Sequence, residues 1–175
     1  MQSLSTPTPR SINWVSVFLF ALMFWFSSSL LMDLVVMPGL FVSGMLTQPD
    51  FGPAGYTLFW LFNRLELVCG ALVLTGLLVN RQSRSTHGVM VSGLRSRWAV
   101  EVALVLLAIA LVVTYGLSPA MGALGLALNP FDSTPVLPEG MNQLHGLYFG
   151  LEALKILGCG ALLKFYFQDL GQPQS

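Results

Sequence analysis

His145, Glu152 and Lys155 stand seven and three residues apart in "LHGLYFGLEALKILGCG", a stretch that is otherwise apolar. On a helix advancing about 100° per residue, Glu152 falls within about 20° of His145, and Lys155 and Cys159 within roughly 80°. One stripe therefore carries an imidazole, a carboxylate, an amine and a thiol. Glu152 and Lys155 can also pair on their own helix. Upstream, "FNRLEL" supplies Asn63, Arg64 and Glu66. Asn63 and Glu66 share a helical face, with Arg64 about 100° from Asn63. Asp33 adds another carboxylate. Together these seven residues form a candidate polar cluster. Such a set can make a conduit for an ion or solute, hold a polar ligand, or form ion pairs that fix helix packing. Charge at the centre of a bilayer costs at least about 2.5–3.5 kcal/mol, so the stripe must face protein or water rather than lipid.

The surrounding sequence has to position these groups, and it reads as membrane. The chain has 175 residues, 54% hydrophobic and 9% charged. Soluble domains carry about 25% charge, so a soluble globule is excluded on composition. A net charge of zero provides no basic face for nucleic acid. Four stretches reach the roughly 20 apolar residues a crossing helix needs: residues 14–36, 59–79, 98–117 and 144–167. The expected fold is an all-α, integral membrane four-helix bundle over residues 13–168. A disordered Ser/Thr/Pro-rich tail (1–12) precedes it, and a short polar tail (169–175) follows. The first run is too long for the core of a cleaved signal and lacks a clear small-x-small cleavage site.

The basic residues orient the chain. Arg10 precedes the first helix, Arg81, Arg84, Arg95 and Arg97 lie between the second and third, and Lys164 ends the fourth. The connections at 37–58 and 118–143 have no Lys or Arg. Positive residues stay inside, so both termini are expected to be cytoplasmic, in a multi-pass protein of the cell membrane. Trp14, Trp60 and Trp98 sit near the expected interfaces. On this reading the polar cluster occupies the outer half of the bundle, with Lys155 about a turn deeper. Glu101 lies apart, near the cytoplasmic end of the third helix, where Arg95 or Arg97 can pair with it.

"MPGLFVSGML" and "SPAMGALGLAL" each place a proline, Pro38 or Pro119, at an outer helix end and then continue apolar. A helix that kinks at the proline and runs on is the favoured reading over a loop lying in the interface. "CGAL" recurs at Cys69–Leu72 and Cys159–Leu162, after a Leu-Glu pair in both cases. With the matched prolines, this suggests two repeated hairpins related by an axis along the membrane normal. The two cysteines lie within apolar runs and read as buried thiols, not as a disulfide framework. Gly146 and Gly150 form a G-x-x-x-G pattern that permits close helix approach.

No hydrolytic triad, zinc set or phosphate-binding glycine loop is present, so a non-enzymatic role is expected: a small transport component, or a partner in a homo-oligomer or with another membrane protein. No cofactor is expected. The alternative is a haem-binding redox protein using His145, the one histidine in a span, with a methionine such as Met32, Met37, Met121 or Met141 as second ligand; copper would suit Met and Cys.

"VVMPGLF" (Val35–Phe41), "AGYTLFWLFN" (Ala54–Asn63), the Tyr115–Pro119 end of the third helix and "LHGLYFGLE" (Leu144–Glu152) follow one another along nearly the whole chain. In this order they resemble the transmembrane-protein-205-like family, four-span proteins without an assigned activity. The resemblance implies the fold and a membrane location. Two positions depart from it: "SPAMGALGLAL" lacks a basic residue, and Tyr148 stands where Ser is common. "MPGLF" with a final "LH…LK" is more distantly similar to the haem membrane proteins of the copper-resistance D and protoporphyrinogen-oxidase type. Their first-helix histidine is missing from residues 14–36.

Overall fold

The computed structural model describes residues 13–45, 51–86, 93–126 and 140–170. The expected tail at 1–12, the last five residues of the tail at 169–175, and part of the arginine-rich connection lie outside the described residues.

The described residues are helical almost throughout. Asn13 opens α1 (Trp14–Leu31) by accepting the backbone N–H groups of Val15 and Ser16 at 3.2 and 3.4 Å. A π-helical turn (Met32–Val36) leads into α2 (Met37–Val42). Then come α3 (Phe51–Thr86) and α4 (Gly93–Val112), a second π-helical turn (Val113–Leu117), α5 (Ser118–Leu126) and α6 (Met141–Leu170). Gly140 precedes α6 at φ +90°, a conformation that suits glycine.

The first and third helices thus run on past their prolines, and the π-helical turns show how. Pro38 and Pro119 cannot donate an N–H, and each ring crowds the preceding turn. Met37 N–H reaches back five residues to the Met32 carbonyl, and Ser118 N–H to that of Val113. The widened turn begins six residues before the proline in both cases, a second match between the two halves of the chain. The helices also exceed their expected bounds elsewhere. α3 begins eight residues before residue 59, and it extends through Thr86 into the arginine-rich connection.

Among the described residues, four helices are long and apolar enough to cross a membrane: Trp14–Leu40, Pro53–Gln82, Arg97–Leu124 and Met141–Gln168. We call these the first to fourth spans. Each packs against the next, and the fourth closes on the first. The second and fourth face each other across the middle without close backbone approach, as do the first and third, among the described residues. The ends carrying Pro38 and Pro119 form one end of the bundle, the proline end; the arginine end lies opposite.

The exterior is apolar. Phe20, Leu61 and Leu157 are 74%, 63% and 70% exposed, an arrangement that suits lipid, not water. The interior holds an apolar cluster, including Phe18, Leu22, Cys69, Val73, Leu106, Cys159 and Leu162, toward the arginine end. Both thiols are free and buried. A smaller cluster of Ile109, Val113, Leu117 and Tyr148 lies toward the proline end. Lipid is as apolar as these side chains, so close packing must hold the helices. Gly76 allows the first two spans to touch: a Cβ there would lie 2.7 Å from the Cβ of Phe18. By contrast, a Cβ at Gly146 or Gly150 meets nothing within 4 Å. The G-x-x-x-G pattern therefore lies outside the bundle and joins no helices within the chain.

Gly76→Leu should lower unfolding stability in micelles by about 1–3 kcal/mol, the cost of overpacking a tight contact. Gly146→Leu should stay within about 0.5 kcal/mol, as exposed changes do. Equal losses in thermal or denaturant unfolding would contradict this packing.

Candidate functional site

Glu66 and Lys155 come from the two spans that do not otherwise approach. Lys155 Nζ donates to Glu66 Oε1 at 2.5 Å and to Oε2 at 2.6 Å, bridging the diagonal of the bundle. It also donates to Glu152 Oε1, three residues earlier on its own helix, at 2.7 Å. All three side chains are buried, Lys155 completely. The first span contributes two further donors: Trp25 Nε1 at 3.1 Å and Ser29 Oγ at 3.0 Å, both to Glu66 Oε1. Glu66 thus receives four hydrogen bonds, and the three protons of the ammonium are all in use.

The ion pair lies at mid-span. Glu66 is thirteen residues from Pro53 and sixteen from Gln82, or about 20 and 24 Å along the helix. Lys155 is similarly central between Met141 and Gln168. The sequence suggests an outer-half position for Glu66 with Lys155 about a turn deeper; the second and fourth helices begin earlier than their apolar runs, which brings both groups to mid-span.

The half toward the proline end is different in character. There, among the described residues, four buried atoms lack a hydrogen-bond partner: Asp33 Oδ2, Asn63 Oδ1, Tyr148 Oη and Glu152 Oε2. Asp33 and Tyr148 lie seven residues from the ends of their spans, about 10 Å in. Asn63 and Glu152 lie ten and eleven residues in, at about 15–16 Å. Asn63 does donate, from Nδ2 to Ser118 Oγ of the third span at 2.6 Å. Tyr148 packs edge-on to Phe59, ring centroids 5.8 Å apart. Its hydroxyl lies beside Glu152, and the charges of Glu152, Glu66 and Asp33 all act on it. Asp33 in turn is within electrostatic reach of Lys155 and Glu66. It is half-buried inside a continuing helix, so it neither caps a helix end nor pairs with Arg64.

Two sequence candidates stand elsewhere. Arg64 is exposed, its guanidinium stacked 3.9 Å over the Trp60 ring. It is two residues from Glu66, about 200° round the helix, so turning Glu66 inward turns Arg64 outward. His145 is also exposed, and its Nδ1–H donates to the Met141 carbonyl one turn back at 3.0 Å. The buried face here is centred nearer Tyr148, about 60° away from His145. Glu101 is exposed on α4, apart from the centre.

Trp25, Ser29 and Tyr148 did not emerge as site residues from the sequence. Their signal was there: Trp25, Ser29 and Asp33 recur at intervals of four, and Trp25 is the one tryptophan far from any expected interface. Tyr148 precedes Glu152 by four and Lys155 by seven, the spacing of one helical face.

Among the described residues, no three His, Cys, Asp or Glu side chains gather where a metal ion could sit. His145, the histidine considered as a haem ligand, faces outward from the bundle. What the geometry defines is an all-α bundle of four span-length helices with an ionic centre at its middle. Protein-family models, curated proteins and solved structures contain no match to the chain.

Lys155→Met should destabilise the fold by about 3–5 kcal/mol, because it leaves two buried carboxylates without their cation. Glu66→Met combined with Lys155→Met should cost less than Lys155→Met alone, since it removes the pair together. Denaturant unfolding in micelles measures both; a double variant weaker than the single one would contradict the pairing.

Proposed function

We propose that this chain is an integral membrane protein of the cell membrane and a small, non-enzymatic transport component. The buried centre is its conduit for a small ion. One observation carries this reading: the unpartnered oxygens of Asp33, Asn63, Tyr148 and Glu152 lead from the proline end to a saturated ion pair. A purely structural pair has no use for them, because each unpartnered buried polar atom costs about 1–3 kcal/mol. Intramembrane ionisable residues otherwise mark ion and substrate paths. The motif order that resembles the transmembrane-protein-205-like family supports the same architecture. The exposed Gly146 and Gly150, beside His145, give the fourth span a face on which a second copy or another membrane protein can pack closely.

Proteoliposomes holding trapped pH-sensitive and sodium-sensitive dyes, under an imposed potential, test the conduit. The wild type should pass ions above the protein-free rate, and Glu152→Gln should fall to that rate while keeping its helicity. Unchanged flux in Glu152→Gln would remove the conduit reading.

The distribution of basic residues supports a cytoplasmic position for both termini and for the connection between the second and third spans. Reporter fusions active only in the cytoplasm should work at residue 175 and within 87–92, and fail within 46–50. The reverse pattern would invert the orientation.

A further inference from the structure

Glu66 and Glu152 both touch Lys155, yet their surroundings differ. Glu66 has both oxygens bonded and takes Trp25, Ser29 and two of the lysine's protons. Glu152 has one bond, to the remaining proton, and its Oε2 is buried without a partner. One ammonium balances one carboxylate. Glu66 holds it from two sides, so the surplus negative charge belongs to Glu152, with Asp33 nearby adding another. Isolated charge in a dry core is costly, and a carboxylate there relieves the cost by taking a proton.

We infer that Glu152 is a proton-binding site, loaded from the proline end past Asp33, Asn63 and Tyr148, with the Lys155–Glu66 pair as the barrier beyond it. This rests on the conduit reading and names its ion. A hydronium gives its proton to Glu152 Oε2 and leaves as water. The new carboxylic O–H donates to Tyr148 Oη, which lies beside it. Glu152 Oε2 then carries a proton, and the surplus charge at Glu152 is gone. Release is the same transfer in reverse.

The groups acting on Glu152 are Asp33 from the first span, Glu66 from the second, and Lys155 from its own helix. Tyr148 and Cys159 flank it on that helix and feel its charge; the third span contributes no charge to it. Past Lys155, toward the arginine end, Phe18, Leu22, Val73, Leu106 and Leu162 fill the core. That side offers a proton no polar step. Loading at Glu152 loosens one of the ammonium's three contacts, because a neutral carboxyl holds it less firmly than a carboxylate does.

Infrared difference spectra of the full chain in lipid, recorded across a pH titration, test the site directly. The wild type should show a protonated-carboxyl band that titrates, absent in Glu152→Gln and retained in Asp33→Asn. Tyr148→Phe should shift that band's frequency, since its hydrogen-bond partner is gone, and should slow proton flux by about tenfold or more. A titrating band that survives in Glu152→Gln, or the absence of any such band, overturns the proposal. If Glu152→Gln fails to fold, Glu152→Asp replaces it: a shortened acid should move the titration midpoint, and an unmoved midpoint overturns the proposal. A band that depends on Glu152 without proton flux upholds the site and removes the conduit reading instead. Flux that follows a sodium gradient and ignores the pH gradient overturns the choice of ion.

Discussion

The contact between Lys155 and both oxygens of Glu66 fixes the arrangement of everything around it. It joins the second and fourth spans, which face one another across the bundle without backbone contact. Two long side chains are needed to reach, and both are desolvated to do so. Desolvation means the pair is weak evidence for net stability, but breaking one half is expensive. Its structural effect is geometric. Each of the two helices must turn its charged residue inward at the same depth, which sets their rotation and their vertical register. Trp25 and Ser29 then bring the first span to the same carboxylate.

Around this centre the usual distribution of residues is inverted. Large apolar side chains such as Phe20 and Leu157 stand outside, while carboxylates, an amine and an indole N–H lie within. Burial of apolar surface cannot drive helices together where the surroundings are themselves apolar. Specific contacts take over: Gly76 against Phe18, Gly158 against Leu106, Gly70 against the Trp25 ring. The last of these is connected to the ionic centre, because a larger residue at 70 would displace the indole that donates to Glu66. Packing and electrostatics therefore meet at Trp25.

Helix periodicity made the core of this site legible in the sequence. Glu152 and Lys155 at three apart, with Glu66 on the parallel helix across the bundle, are enough to bring the three charges together. Rotation and depth were harder to read. Arg64 follows Asn63 directly and looks like a member of the same cluster. Only the phase set by Glu66 shows that it must face out. His145 lies on the edge of the buried stripe near a helix end, where periodicity does not decide exposure. Depth depends on where the second and fourth helices begin, and α3 and α6 start at Phe51 and Met141, before the apolar runs at 59 and 144 that mark them in the sequence. Trp25 was missed for a related reason: tryptophan in a membrane sequence suggests an interface, whereas its indole N–H here satisfies a buried carboxylate.

The two halves of the interior follow different rules, and the division falls at Lys155. Toward the arginine end the core is apolar and every polar demand is met by its absence. Toward the proline end Asp33, Asn63, Tyr148 and Glu152 each keep one buried atom without a partner. Chemically identical residues on either side of the same ammonium thereby acquire different behaviour. Glu66 is bonded at both oxygens by donors from two other spans. Glu152, bonded at one oxygen and facing the unsatisfied half, is free to change its proton content without dismantling the centre. Adding a proton there removes the surplus charge and takes nothing from Glu66. A static ion pair and a variable one can share a single lysine only because the unpartnered polar atoms lie on one side of it and not on the other.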